Sequence, residues 1–116
     1  MAYKFSLYLF RDNEKININS ITCKTSSETK TFYYKDFVIG NATYVWEALS
    51  ENIEFTVEAS NGLSGWYFSS IGKALDSDSI NGSTYKYTYK YDSSNTTPVN
   101  MRPVPFTGFD LTCFFI

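Results

Sequence analysis

The sequence YKYTYKY at residues 85–91 places a tyrosine at every second position. Because successive side chains of a β-strand point to opposite faces, this spacing puts all four tyrosines on one face and the lysines and the threonine on the other. Lysine and threonine suit a solvated face, whereas a row of tyrosine rings needs something to pack against. The segment therefore predicts a half-buried strand, in a chain whose aromatic residues amount to 19%.

Strand-like segments of this kind recur along the whole chain. Ile53–Ala59 alternates most regularly, with apolar residues at its odd positions and polar residues at its even ones. No segment sustains the 3.6-residue period of an amphipathic helix, although Ile71–Asp78 is compatible with one helical turn. The predicted strands are Tyr3–Phe10, Ile16–Lys24, Lys30–Ile39, Tyr44–Ala48, Ile53–Ala59, Trp66–Ile71, Ser83–Tyr91 and Gly108–Ile116.

Turn-forming residues separate these segments at intervals of roughly 8–12 residues, which is typical of sandwiches and barrels. Within Ile16–Lys24 the apolar residues change phase, which predicts a β-bulge near Asn19–Ser20. A chain of 116 residues suits a single domain. The sequence thus predicts one all-β domain over residues 1–116. Its predicted fold is an antiparallel β-sandwich of about eight short strands, immunoglobulin-like in general architecture.

The charge of the chain argues against two kinds of partner. Lys and Arg total 10 and Asp and Glu total 12, for a net charge of −2. The basic residues are scattered singly, so neither a nucleic-acid-binding patch nor a polybasic membrane segment is predicted. No run approaches the ~20 apolar residues of a transmembrane helix. The apolar start Tyr3–Phe10 lacks a signal-peptide cleavage site, so synthesis in the host cytoplasm is expected.

The sequence lacks the residues that most often carry out catalysis. The chain has no histidine, the commonest general base and zinc ligand, and its serines have no visible base. Asp76–Gly82 resembles an EF-hand calcium loop. However, the loop requires glycine at its sixth position and a bidentate glutamate at its twelfth, whereas this chain has Gly82 at the seventh and Tyr87 at the twelfth. No enzymatic activity, cofactor or metal site is therefore predicted.

Cys23 and Cys113 are the only two cysteines, and both lie in strand-like segments. They are interpreted as small buried apolar residues, and a disulfide joining the first third of the chain to the last strand is the alternative. The sequence leaves both possibilities open.

The second half of the chain has a characteristic order of elements: an alternating strand, a glycine turn, a Gly-Trp pair, a polar loop, an aromatic strand and a final strand. These elements are Ile53–Ala59, Asn61-Gly62, Gly65-Trp66, Asp76–Asn81, Tyr85–Tyr91 and Leu111–Phe114. In this order residues 53–116 resemble the internalin-type B repeat, a small β module of bacterial surface and phage proteins. The resemblance implies a spacer or contact module without enzymatic activity, and it implies that Trp66 is a core residue. The chain departs from the repeat at Leu63, where an aromatic residue is usual, and at the insertion Thr96–Thr107. Phage capsid decoration proteins with an immunoglobulin-like fold show a similar general architecture.

Three interpretations of the tyrosine face of residues 85–91 are open: packing in the core, contact with a protein partner, or a platform for sugar rings. A sugar platform needs coplanar exposed rings, for which Tyr87, Tyr89 and Trp46 are the best candidates. Buried rings would favour the core.

Two further segments are candidates for partner contact. The connection Thr96–Thr107 contains three prolines that favour an extended arm, with Met101, Val104 and Phe106 as apolar anchors along it. The alternative is a loop packed on its own domain. At the end of the sequence, Phe114, Phe115 and Ile116 would leave a strand apolar on both faces, which a neighbour or a second layer must cover.

The function predicted from these features is that of a non-enzymatic structural protein in a larger assembly. The favoured setting is a phage virion, with the chain as an auxiliary or decoration capsid protein on the virion surface. Its expected partners are the major capsid-like structural protein and, as a possibility, other copies of itself. A carbohydrate-binding or adhesive module is the alternative. The predicted partner-contact residues are Tyr85, Tyr87, Tyr89, Met101, Val104, Phe106, Phe114 and Ile116.

Overall fold

The computed structural model describes residues 3–11, 18–59, 65–70, 73–75, 78–79, 83–104 and 110–116. Eleven β-strands and one 3-10 turn lie in these residues, and no α-helix does, so the all-β prediction is confirmed. Within the same residues, no helix has the length and apolar character needed to span a bilayer. The strands are β1 (Tyr3–Arg11), β2 (Ile18–Lys24), β3 (Thr29–Tyr33), β4 (Ala42–Leu49), β5 (Ile53–Ala59), β6 (Gly65–Ser70), β7 (Lys73–Leu75), β8 (Asp78–Ser79), β9 (Thr84–Tyr89), β10 (Val99–Val104) and β11 (Asp110–Phe115).

The strands form two antiparallel sheets. Sheet A has the order β4-β1-β11-β10-β6-β7, and sheet B has the order β3-β2-β5-β9-β8. The inner faces pack on each other, as shown by Phe5 of β1, whose ring stacks on that of Phe55 of β5 at 6.1 Å between centroids. The predicted β-sandwich is therefore confirmed, and its immunoglobulin-like character stays a prediction.

The core lies between the sheets and is rich in aromatic rings. In β5 the odd-numbered residues are buried and the even-numbered ones face outward, as the sequence pattern predicts. Tyr89 of β9 stacks on Phe115 of β11 with 4.0 Å between ring centroids and 10° between ring planes. Such offset ring pairs stabilise a core by about 0.5–1.5 kcal/mol beyond the area they bury.

The predicted β-bulge in the second strand is confirmed. Ile18 pairs with Ala59 and Ser20 with Glu58, so β2 carries one residue more than β5 between these pairs. The extra residue shifts the apolar phase, which lets Ile18 and Ile21 both reach the core.

The predicted strand Lys30–Ile39 is too long, since β3 ends at Tyr33 and a 3-10 turn, Tyr34–Asp36, follows. The backbone N–H of Tyr33 donates to the Asp36 carboxylate at 2.8 Å, which fixes the turn. The phase slip in this stretch therefore marks the end of the strand. Beyond the turn, Gly40 takes a φ of 82°, and its N–H donates to the carbonyl of Leu9 at 2.9 Å.

Two predicted connections contain strands instead. The connection Thr96–Thr107 includes β10, and Ile71–Asp78 includes β7 and the start of β8 where a helical turn was expected. The three prolines argued against a strand in this connection, but Pro103 lies within β10. Among the described residues, β10 pairs with β11 from Val99 to Met101, and Pro103 pairs with Trp66 of β6.

Cys23 and Cys113 face the core from opposite sheets, and both thiols are free. The interpretation as buried apolar residues is confirmed. Burial raises the pKa of both thiols, and the neighbouring Cys23 adds to the effect at Cys113. Neutral, buried thiols are poor nucleophiles.

We expect both thiols to react with a maleimide only after unfolding. The rate in the native protein should be on the order of a thousandfold below that in denaturant, because the sulfurs become accessible only when the core opens. Mass spectrometry after timed labelling measures both rates. Comparable rates for native and denatured protein would contradict the inward placement.

Candidate functional site

The outward face of sheet A carries an apolar groove. Ser6 and Tyr8 of β1 lie beside Phe114 and Ile116 at the end of β11, and together they line a cavity of about 370 Å³. The rings of Tyr8 and Phe114 meet edge to face, with 5.6 Å between centroids and 85° between planes. Ile116 is 78% exposed and is the most exposed large apolar side chain among the described residues.

Strand register explains why these four residues meet. Leu7, Cys113 and Phe115 point into the core, so the residues that alternate with them point outward. Antiparallel pairing then sets Ser6 opposite Phe114. Two backbone hydrogen bonds, of 2.8 and 3.0 Å, join Lys4 to Ile116 and extend the pairing to the edge of the groove.

A polar network lies on the same face of sheet A. Asp110 is largely buried, and its Oδ1 accepts hydrogen bonds from Asn100 Nδ2 and Thr112 Oγ1, both at 3.1 Å. Its Oδ2 accepts from Arg102 Nη2 at 3.2 Å. Asn100 Nδ2 also donates to Thr112 Oγ1 at 2.7 Å. The carboxylate therefore ties β10 to β11 next to the groove.

The outward face of sheet B differs in character. Threonine hydroxyls and charged side chains cover it, including the pair Thr22–Thr31 at 3.1 Å and the ion pair Lys86–Glu54 at 3.3 Å. Both charged partners of that ion pair are about one-third exposed, so it contributes little stability. The outward face of sheet B is thus polar, whereas that of sheet A combines the apolar groove with the Asp110 network.

A second cavity, of about 410 Å³, lies at one end of sheet B and is lined by polar residues. Glu51 at its wall accepts hydrogen bonds from the backbone N–H of Ser26, at 2.8 Å, and from the Ser26 hydroxyl. These bonds from Ser26 lower the pKa of the Glu51 carboxyl. The Glu51 carboxylate therefore stabilises the turn between β2 and β3.

The structure separates the predicted partner-contact residues. Tyr85, Tyr89 and Met101 are buried in the core, which confirms the core interpretation for this part of the tyrosine face. Tyr87 is half-buried and parallel to the Phe55 ring, 6.5 Å away, and its burial raises the pKa of its hydroxyl. Met101 belongs to β10, so at this residue the Thr96–Thr107 connection is a core strand and not an extended arm.

Of the remaining candidates, Phe114 and Ile116 line the groove. Val104 ends β10 and Phe106 lies outside the described residues, so their roles in partner contact stay predictions. The sequence analysis missed Ser6 and Tyr8, because their positions depend on the pairing of the first strand with the last. The alternation within Tyr3–Phe10 was the available signal, since it assigns both residues to the outward face.

The rings considered for a sugar platform do not come together. Tyr87 and Tyr89 lie on β9 in sheet B, whereas Trp46 lies on β4 in sheet A. Tyr89 is buried, and the Trp46 ring packs edge to face on Phe5 with 4.8 Å between centroids. These three rings therefore form no exposed coplanar surface.

Across the ranges that the structure describes, no three His, Cys, Asp or Glu side chains converge to hold an ion. Within Asp76–Gly82 only Asp78 and Ser79 are described, as β8, so the comparison of this stretch with a calcium loop lies mostly outside them. The side chain of Trp66 lies outside the described part as well.

Comparison with known proteins returned no match to any family model, curated protein or solved structure.

Proposed function

We propose that this chain is a non-enzymatic structural protein that attaches to a larger assembly through the outward face of sheet A. The observation that carries the proposal is the apolar groove on the outward face of sheet A, which is lined by Ser6, Tyr8, Phe114 and Ile116. Apolar side chains in a concave patch lose water when a partner covers them, which favours association. The groove is bordered by the Asp110 network, which supplies a polar rim of the kind that surrounds protein interfaces.

The proposed setting is a phage virion, with the chain as an auxiliary or decoration protein and the major capsid-like protein as its partner. The resemblance of residues 53–116 to a module of phage and bacterial surface proteins supports this setting. The described fold adds a sandwich whose sheet B has a polar outward face and whose sheet A carries the apolar groove beside the Asp110 network. Such a two-faced sandwich suits a protein that binds a particle by one face and meets solvent with the other.

Phe114→Lys is the variant that tests the proposal. The substitution places a charge in the groove, whereas the control Thr88→Lys places the same charge on the outward face of sheet B, at an exposed residue opposite Glu54. Loss of a hot-spot residue costs about 2 kcal/mol or more, so binding of Phe114→Lys to purified particles should weaken about thirtyfold or more. Thr88→Lys should bind like the wild-type chain.

The measurement is the number of copies per major structural protein after purification of the particle from its native source. A fixed ratio that survives washing with concentrated salt is expected, because apolar contacts are not screened by ions. A chain that never copurifies with a particle, or equal binding by both lysine variants, would contradict the proposal.

A further inference from the structure

The edges of the two sheets are protected to different degrees. An unpaired edge strand exposes a row of backbone N–H and C=O groups, and proteins commonly shorten, bulge or cover such strands. β7 and β8 are short, at three and two residues. β4 has eight residues, but its pairing with β1 is interrupted twice, each time by an extra residue on β4. Three of the four edges therefore carry a recognisable protection.

β3 is the exception. It pairs with β2 through five consecutive residue pairs without a register shift, and no other strand in the described ranges pairs with its free side. Its residues are threonine, lysine, phenylalanine and tyrosine, of which all but lysine favour strands. Its last residue, Tyr33, is 52% exposed, and the connection that follows presents Val38 at 60% and Ile39 at 55% exposure. The unprotected edge is thus accompanied by three of the most exposed apolar side chains among the described residues.

The hydrogen bond of Tyr33 reveals which backbone groups of β3 face outward. Its N–H donates to Asp36 Oδ2, so this group points away from β2. The backbone N–H and C=O groups of successive residues in a strand point to alternate sides. Thr29 and Thr31 therefore also turn theirs toward the free side. Lys30 and Phe32 turn theirs toward β2. Thr31 stands at the centre of this set.

We propose that the free edge of β3 pairs with the same edge of a second copy of this chain, antiparallel and centred on Thr31. A two-fold axis at this residue sets Thr31 opposite Thr31 of the second copy, where each donates its N–H to the carbonyl of the other. Thr29 then lies opposite Tyr33 of the second copy, whose N–H exchanges its bond to Asp36 for one to the Thr29 carbonyl. The two five-stranded sheets B become one continuous sheet of ten strands.

The side chains of β3 suit pairing with an identical strand. In the antiparallel register, Lys30 of each copy lies opposite Phe32 of the other, so no two like charges face each other directly. The Lys30 ammonium lies 5.3 Å from the centre of the Tyr44 ring of β4, while Thr29 and Thr31 are exposed. Threonine and aromatic cross-strand pairs then stabilise the interface on both of its faces.

Sedimentation equilibrium of the purified chain over increasing concentration tests the proposal, and we expect a monomer–dimer equilibrium. Thr31→Pro removes the central outward N–H without touching a bond to β2, and should raise the dimer dissociation constant at least about tenfold. Thr31→Val is the matched control. It also loses the hydroxyl contact with Thr22, but keeps the backbone donor, so its dissociation constant should stay within about twofold of the wild-type value.

Charged substitutions at residue 31 give a second test, which does not require β3 to accommodate a proline. Thr31→Asp and Thr31→Lys each set two like charges opposite each other, so each should self-associate about fivefold more weakly. Mixing the two variants should restore association, because Asp then faces Lys. A wild-type chain that stays monomeric at all concentrations would overturn the proposal, as would self-association that none of these substitutions changes. Phe114→Lys, in the groove of sheet A, should leave dimer formation unchanged, so the two interfaces are tested separately.

Discussion

Phe115→Ala should lower the free energy of unfolding by about 3–5 kcal/mol, the largest loss expected for any substitution considered for this chain. Phe115 is fully buried near the end of β11, stacks on Tyr89 at 4.0 Å and meets the Phe5 ring at 5.4 Å. Its removal leaves a cavity between the two sheets, and the aromatic neighbours on either side are held by their own strands. For a domain of this size the loss corresponds to a fall in Tm of roughly 15 °C.

The adjacent residue provides the control. Phe114 lies on the opposite face of the same strand and is only half-buried, so Phe114→Ala should cost about 1 kcal/mol or less. Urea denaturation followed by circular dichroism measures both values. Because one residue of register exchanges the two faces of a strand, equal losses for the two variants would show that β11 is not placed as described here.

Strand alternation made much of the fold predictable, because it depends only on local sequence. The pattern within Ile53–Ala59 assigned each residue to its correct face, and the phase change in the second strand located a real bulge at Asn19–Ser20. The same reasoning failed where a local signal has two meanings. The prolines of residues 98–105 suggested an extended arm, although Pro103 lies in β10 and pairs with Trp66 of β6.

The groove could be predicted only in part. Phe114 and Ile116 were identified from the sequence, because a strand that is apolar on both faces must be shielded from water on both. Ser6 and Tyr8 come from the other end of the chain, and only the pairing of β1 with β11 brings them to the same surface. For Tyr89, alternation left both core packing and partner contact open, and only the packing of the two sheets places it in the core.

The polar network beside the groove was not predictable either, since it joins residues about ten positions apart whose side chains meet only after β10 and β11 pair. Asp110 receives hydrogen bonds from Asn100, Arg102 and Thr112, and its side chain is 12% exposed. A carboxylate so little exposed needs such donors, because burying an unpaired charge is costly. The network therefore links β10 to β11, the strand that carries Phe114 of the groove.

Asp110→Ala should consequently destabilise the protein by about 2–3 kcal/mol, the second largest effect expected. The substitution removes three hydrogen bonds to a charged acceptor and leaves Asn100 and Thr112 with donors to satisfy. The Arg102 side chain is 39% exposed and recovers water, so the loss should stay below that of a fully buried ion pair. Asp110→Asn keeps the acceptor oxygen but not the charge, and should fall between the variant and the wild-type protein.

Asp92→Ala is the matched control for this prediction. Asp92 also accepts two hydrogen bonds, from the N–H and the hydroxyl of Ser94 at 2.9 and 2.7 Å, but it lies in an exposed turn. Water replaces those bonds readily, so the control should cost no more than about 0.5 kcal/mol. Urea titration of the three variants gives the comparison. If Asp110→Ala and Asp92→Ala cost the same, the network contributes no more than a surface turn, and the polar border of the groove is not a fixed part of the fold.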